Sequence, residues 1–138
     1  MRDTLAHRID SLGVTPRQWG VLAALRRDDM STPSDLARHL RADSAAITRL
    51  LDRLEAKSLI ERIADAHDRR SLRITMTERA YDILPELERA STETLAELHR
   101  GIAADDVAIF RSVVDRMLRN LGLEGASAQW LGRSDANR

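Results

Sequence analysis

Apolar residues recur at helical spacing in several separate stretches of this chain, and most of those stretches begin with a residue able to cap a helix. Thr15-Pro16-Arg17-Gln18 is the clearest start. Thr15 can accept a backbone N–H, Pro16 suits the first helical position, and Gln18 can close a capping box. Trp19, Val21, Leu22 and Leu25 then form a stripe running to about Arg27. Before it, Leu5, Ile9 and Leu12 predict a short helix over roughly residues 2 to 11. Thr32-Pro33-Ser34-Asp35 repeats the capping device, with Leu36, Ala37 and Leu40 facing inward. Asp43 or Ser44 opens the next helix, whose stripe is Ile47, Leu50, Leu51 and Leu54 at i, i+3, i+4 and i+7.

After Ser58 the period changes. Residues 59–63 and 72–76 read as strands, and in the second Leu72, Ile74 and Met76 alternate with Arg73 and Thr75. Between them Ala64-Asp65-Ala66-His67-Asp68-Arg69-Arg70-Ser71 has no large apolar anchor, which predicts a hairpin with a charged tip. Thr77 is the expected cap of a long helix over about 78–100. That helix is lined by Ala80, Ile83, Leu84, Leu87, Leu95 and Leu98 and interrupted by Pro85. A last helix, about 104–120, carries Val107, Phe110, Val113, Val114, Met117, Leu118 and Leu121. From Gly122 the chain turns small and polar, with Trp130 and Leu131 as its large apolar anchors.

Two short capped helices, a strand, a charged loop and a second strand follow the order of a winged helix-turn-helix. The expected fold class is therefore mainly α with a small β-hairpin wing. The winged core spans 15–77, an N-terminal dimerisation helix precedes it (1–14), long C-terminal dimerisation helices follow (78–121), and a tail closes the chain (122–138). The apolar stripes of the first and last helices exceed what so small a body can cover, so a homodimer is expected.

In a helix-turn-helix the second helix enters the major groove by its N-terminal part. The outward positions here are Ser44, Ala45, Thr48, Arg49, Asp52 and Arg53. Thr48 and Arg49 suit base edges or phosphates, because Arg can bond guanine bidentately and Thr offers a hydroxyl and a methyl. Arg53 and Arg38 suit phosphates. The competing reading makes Arg49 and Arg53 solvent-facing partners of Asp52 and Glu55. On the hairpin, Arg69 and Arg70 suit a narrow minor groove. Asp65 and Asp68 oppose phosphate unless paired; Asp68 is read as fixing one of the arginines, and His67 as exposed.

Charge changes this picture little. The 138 residues carry 22 basic and 22 acidic side chains. Yet residues 38 to 79 hold ten Arg or Lys against seven acids, whereas 80 to 138 hold seven against ten. Nucleic acid needs a local basic face, not a basic protein. Neutrality keeps a protein-interaction module on the same fold open as an alternative. There is no cysteine, which excludes disulfides, thiolate metal sites and a thiol oxidation switch. His7, His39, His67 and His99 share no metal-ligand spacing, and no catalytic constellation or phosphate-cradling glycine loop is present. No metal, cofactor or enzymatic activity is expected. No apolar run reaches membrane-spanning length and the charged start does not resemble a secretory signal, so a cytoplasmic location is expected.

Taken together, Thr15-Pro16-Arg17-Gln18-Trp19, Ser34-Asp35-Leu36-Ala37, Ile47-Thr48-Arg49-Leu50-Leu51-Asp52-Arg53-Leu54-Glu55, Leu59-Ile60-Glu61-Arg62, Asp68-Arg69-Arg70 and Met76-Thr77-Glu78 resemble the MarR family of bacterial transcription regulators over roughly residues 5 to 120. The resemblance implies an obligate homodimer whose two wings and recognition helices read a pseudo-palindromic duplex. Residues 44 to 53 become the recognition helix, and Asp68, Arg69 and Arg70 the wing. It implies repression by promoter occupancy, relieved when a small aromatic or phenolic anion binds between the dimer helices and the winged domain. His7, Arg8, Arg17 and Trp19, with Leu84 or Leu87, would line that ligand site. Repression without small-molecule control is the alternative. The sequence departs from the family's pattern in a short first helix, so that the expected dimer interface is either reduced or compensated by the tail with Trp130. Ser58 and Ala80 stand where glycines are usual, and Ala46 where threonine is frequent.

Overall fold

The computed structural model describes residues 5–27, 30–68 and 71–123. The element order is α1 (Leu5–Asp10), α2 (Pro16–Leu25), α3 (Pro33–Leu40), α4 (Ser44–Ala56), β1 (Ile60–Ala64), β2 (Leu72–Met76), α5 (Glu78–Leu98) and α6 (Ala104–Asn120). The chain divides into two compact units, Met1–Ala90 and Ser91–Arg138.

In the first unit the predicted caps form. Thr15 Oγ1 accepts from Gln18 N–H at 3.3 Å, and Gln18 Oε1 accepts in return from Thr15 N–H at 3.1 Å. Thr32 caps α3 by accepting from Asp35 N–H at 3.1 Å, and Asp43 caps α4 by accepting from Ala46 N–H at 2.7 Å. Each cap satisfies one of the orphan donors of a helix N-terminus. α3 and α4 both end on a residue other than glycine in the left-handed region. Arg41 has φ 50° and Ser58 φ 56°. Each is followed by a backbone bond that closes the helix, Ala42 N–H to Ala37 O and Leu59 N–H to Leu54 O, both at 3.0 Å. The first turns the chain from α3 into α4; the second turns it into the hairpin.

The core of this unit gathers one face of every element. Ile9, Leu22, Leu36, Ile47, Leu51, Leu54, Ile60, Ile74 and Leu87 are all buried in it. β1 and β2 pair antiparallel, with Ile60 opposite Met76, Arg62 opposite Ile74 and Ala64 opposite Leu72. Successive strand residues alternate between faces, so Ile60, Arg62, Ile74 and Leu72 share the inward face. Burial fades along it: Ile74 is covered, but Leu72 is 48% exposed. The expected alternation thus fails at its outer end, where Leu72 pairs with the exposed Ala64 beyond the reach of the core. The first strand also begins one residue later than predicted, because Leu59 completes the helix closure. Ile74 N–H donates to Ser31 O at 2.7 Å, tying β2 to the entry of α3. Thr77 accepts from Ala80 N–H at 3.3 Å, as expected of the α5 cap, and its hydroxyl donates to Ser58 O at 2.7 Å.

α5 continues through Pro85, whose ring nitrogen has no proton for the helical ladder. In the second unit α6 has the predicted bounds, with Asp105 and Asp106 in its first turn at the positive helix end. No residue of α6 is buried. Ile109, Phe110, Val113, Met117 and Leu121 all remain exposed, giving the helix an apolar stripe with nothing covering it among the described residues.

Candidate nucleic-acid interface

The core stripe of α4 fixes what the opposite face presents. With Ile47, Leu51 and Leu54 buried, Ser44, Ala45, Thr48, Arg49, Asp52, Arg53 and Glu55 all fall on the exposed side. Ser44, Thr48, Asp52 and Glu55 form one line along this face, and Ala45, Arg49 and Arg53 form the adjacent line. The Thr48 hydroxyl donates back to Ser44 O at 2.8 Å, which leaves its oxygen lone pairs and methyl facing outward.

The acids on this face are not paired with its arginines. Arg62 reaches across from β1 and takes both: its guanidinium donates to Asp52 Oδ1 at 2.6 Å and to Glu55 Oε2. The hydrogen bond to Asp52 leads in pushing the Arg62 pKa above its ordinary value, with the charges of both acids adding to it against a partial desolvation. Neither Arg49 nor Arg53 has an ion-pair partner among the described residues. The reading that made Asp52 and Glu55 their partners is thereby corrected: a strand arginine has claimed both carboxylates. Arg38, exposed on α3, lies 3.5 Å from Asp35. At that distance and exposure the pair is weak and leaves the guanidinium accessible.

The wing shows the same economy of charge. Asp65 accepts from His67 N–H at 2.8 Å and pairs with Arg73 Nε at 3.3 Å. The His67 amide bond, with Arg73 assisting, holds the Asp65 carboxyl below its usual range. Asp65 N–H donates to Ser71 O and Ser71 N–H to Asp68 O, both at 2.9 Å, which closes the loop. So Asp65, expected from sequence to oppose phosphate unless paired, is paired with Arg73 and shapes the turn. His67 and Asp68 are exposed. Arg69 and Arg70, and with them the expected fixing of one arginine by Asp68, lie outside the described residues.

The expected ligand-site residues sit on α1 and α2. His7 and Arg17 are exposed, Arg8 is half-buried, and Trp19 packs against the apolar core. Leu84 and Leu87 are buried. A further contact, not foreseen from sequence, links this region to α4. Lys57, at its C-terminus, donates to Gly13 O at 2.5 Å and to Gln18 Oε1 at 2.8 Å. Sequence reasoning also missed Arg62, although a signal existed. It occupies an inward strand position between apolar residues, where a cation requires an acidic partner.

Comparison with known proteins gives this geometry a context. A family model described as the MarR family matches residues 12–71. The crystal structure of the transcriptional regulator PA3341 is 31% identical, with 86% of this chain and 87% of that one covered and a TM-score of 0.76. Wild-type MarR from E. coli in its apo form is 28% identical, covering 83% and 85%, with a TM-score of 0.70. A cysteine-to-serine mutant of the same protein, complexed with operator DNA, is also 28% identical, covering 83% and 82%, with a TM-score of 0.76. No helix among the described residues is long and apolar enough to cross a membrane. The capped helix pair, the two-stranded wing and these similarities together place the chain in the MarR family, as a non-catalytic, sequence-specific DNA-binding transcriptional regulator.

Proposed function

We propose that the protein is a homodimeric repressor that reads a pseudo-palindromic duplex and is released by a small aromatic or phenolic anion. The observation that carries the reading is the outer face of α4, where Arg49 and Arg53 stand without ion-pair partners among the described residues while the acids beside them are held by Arg62. In this reading Ser44, Ala45, Thr48 and Arg49 meet base edges in the major groove, with Arg49 bidentate to a guanine. Arg53 and Arg38 meet phosphates, and the wing, through Arg69 and Arg70 beside Asp68, follows the adjacent minor groove. The solved complex of the similar MarR mutant with operator DNA supports the duplex as ligand. The uncovered apolar stripe of α6 supports the homodimer, and two-fold symmetry makes the site pseudo-palindromic.

His7, Arg8, Arg17 and Trp19 are the proposed effector contacts, the two arginines meeting the anion. The packing of Trp19 against the core favours a second reading, a repressor without small-molecule control. Selection of bound duplexes from a random pool, repeated with aromatic carboxylates and phenols present, tests both. The first reading predicts two inverted half-sites about one helical turn apart, lost when an effector is added. Half-sites that no compound displaces support the second. A pool with no enrichment at physiological salt contradicts both and leaves a protein-interaction module.

A further inference from the structure

Arg62 lies on β1, outside the helix that meets DNA in the proposed function, and it is unlike the surface arginines. Its side chain is only 21% exposed and sits opposite the buried Ile74 at the rim of the hairpin's inward face. It makes two charged hydrogen bonds, both to the recognition-helix face. Asp52 and Glu55 fall on the same line of that face as Ser44 and Thr48, about one to three turns further along. Without a partner, two carboxylates there would stand among the groups that approach the phosphates, at ranges where screening by salt is incomplete.

We propose that Arg62 is a positioning residue for DNA reading: by binding Asp52 and Glu55 together it offsets one of their two negative charges, weakens their repulsion of the phosphate backbone and fixes the wing against α4. The inference rests on the proposed reading of α4 as the recognition helix. It helps a chain of zero net charge present a basic reading face, since one of the two acidic charges is offset by an arginine that itself touches no DNA. Arg49 and Arg53 then meet the phosphates with less opposing charge beside them.

The test compares four proteins on one duplex taken from the selected pool: the parent, Arg62→Met, Asp52→Asn/Glu55→Gln, and the triple variant. Affinity is measured by fluorescence anisotropy from low to physiological salt, and folding by circular dichroism. Arg62→Met is expected to bind at least about 10-fold more weakly. Its plot of log affinity against log salt should be shallower by about one, because salt relieves carboxylate–phosphate repulsion while it weakens the arginine contacts. Asp52→Asn/Glu55→Gln should bind at least as tightly as the parent. The triple variant should recover most of the lost affinity and the parent's salt slope, which a purely structural arginine would not produce. Should Arg62→Met fail to fold, the remaining two variants decide. Weaker binding by Asp52→Asn/Glu55→Gln, or a triple variant no better than Arg62→Met with the parent's slope throughout, overturns this inference while leaving the recognition helix in place. A parent that selects no duplex overturns both.

Discussion

The uncovered stripe of α6 makes a quantitative prediction about assembly. Phe110, Val113 and Met117 lie at i, i+3 and i+7 and are 59%, 44% and 62% exposed. Full burial of such a side chain contributes about 1.5–3 kcal/mol, so the exposed half of each is worth about 1 kcal/mol. In a two-fold interface every residue counts twice, and the three together supply about 6 kcal/mol, or roughly four decades in the dimer Kd. Phe110→Ala removes about 2 kcal/mol of this and should raise the dimer Kd about 30-fold. Phe110→Asp also buries two carboxylates without partners and should raise it at least about 1,000-fold. Because Phe110 is exposed within its own chain, helical content should hardly change in either variant. Sedimentation velocity over a broad concentration series measures the Kd, and circular dichroism checks the helices. A Phe110→Asp protein that dimerises like the parent refutes the reasoning, as does a parent that stays monomeric throughout.

Other expectations follow from single residues. Leu51→Ala opens a cavity under α4 and should cost about 2–5 kcal/mol, read from urea unfolding; a loss below about 1 kcal/mol contradicts the packing described. Ser58→Gly relieves a left-handed non-glycine residue worth about 1–2 kcal/mol, offset partly by unfolded-state entropy, so the melting temperature should rise by a few degrees rather than fall. For Asp65 the folded pKa is depressed. Its contribution is therefore present above the ordinary carboxylate value of about 3.9 and is lost as pH falls through the lower folded value. The melting-temperature gap between parent and Asp65→Asn should hold steady from about pH 8 to pH 5 and close in stronger acid, and a gap that widens there contradicts the pairing.

The elements were legible because local chemistry and periodicity agreed. Thr15, Thr32 and Asp43 cap the helices their patterns begin, and the α6 bounds coincide with its stripe. What escaped the sequence is what depends on distant partners. Leu72 alternates as a core residue should, but its exposure depends on how far the hairpin extends past the body. Gln18 looked like a capping residue alone, and it is one, yet its buried oxygen also takes the Lys57 ammonium from 39 residues away. For the candidate site, the outward face of α4 followed from its apolar stripe. The state of its charges did not: Asp52 and Glu55 looked like neighbours of Arg49 and Arg53 along the helix, and only strand register brings Arg62 to them. The pairing of Asp65 with a backbone amide and Arg73 is likewise a property of the folded loop.

The proposed function stands on base reading by the N-terminal half of α4, with Arg49 as its most specific contact. Its most direct measurement is the base-preference profile of the parent and of Arg49→Ala, obtained by sequencing the bound fraction of one randomised duplex pool at fixed physiological salt. Arg49→Ala is expected to lose a guanine preference worth about 1–3 kcal/mol at a single position in each half-site, with the other positions kept. A variant whose profile matches the parent's at every position contradicts it.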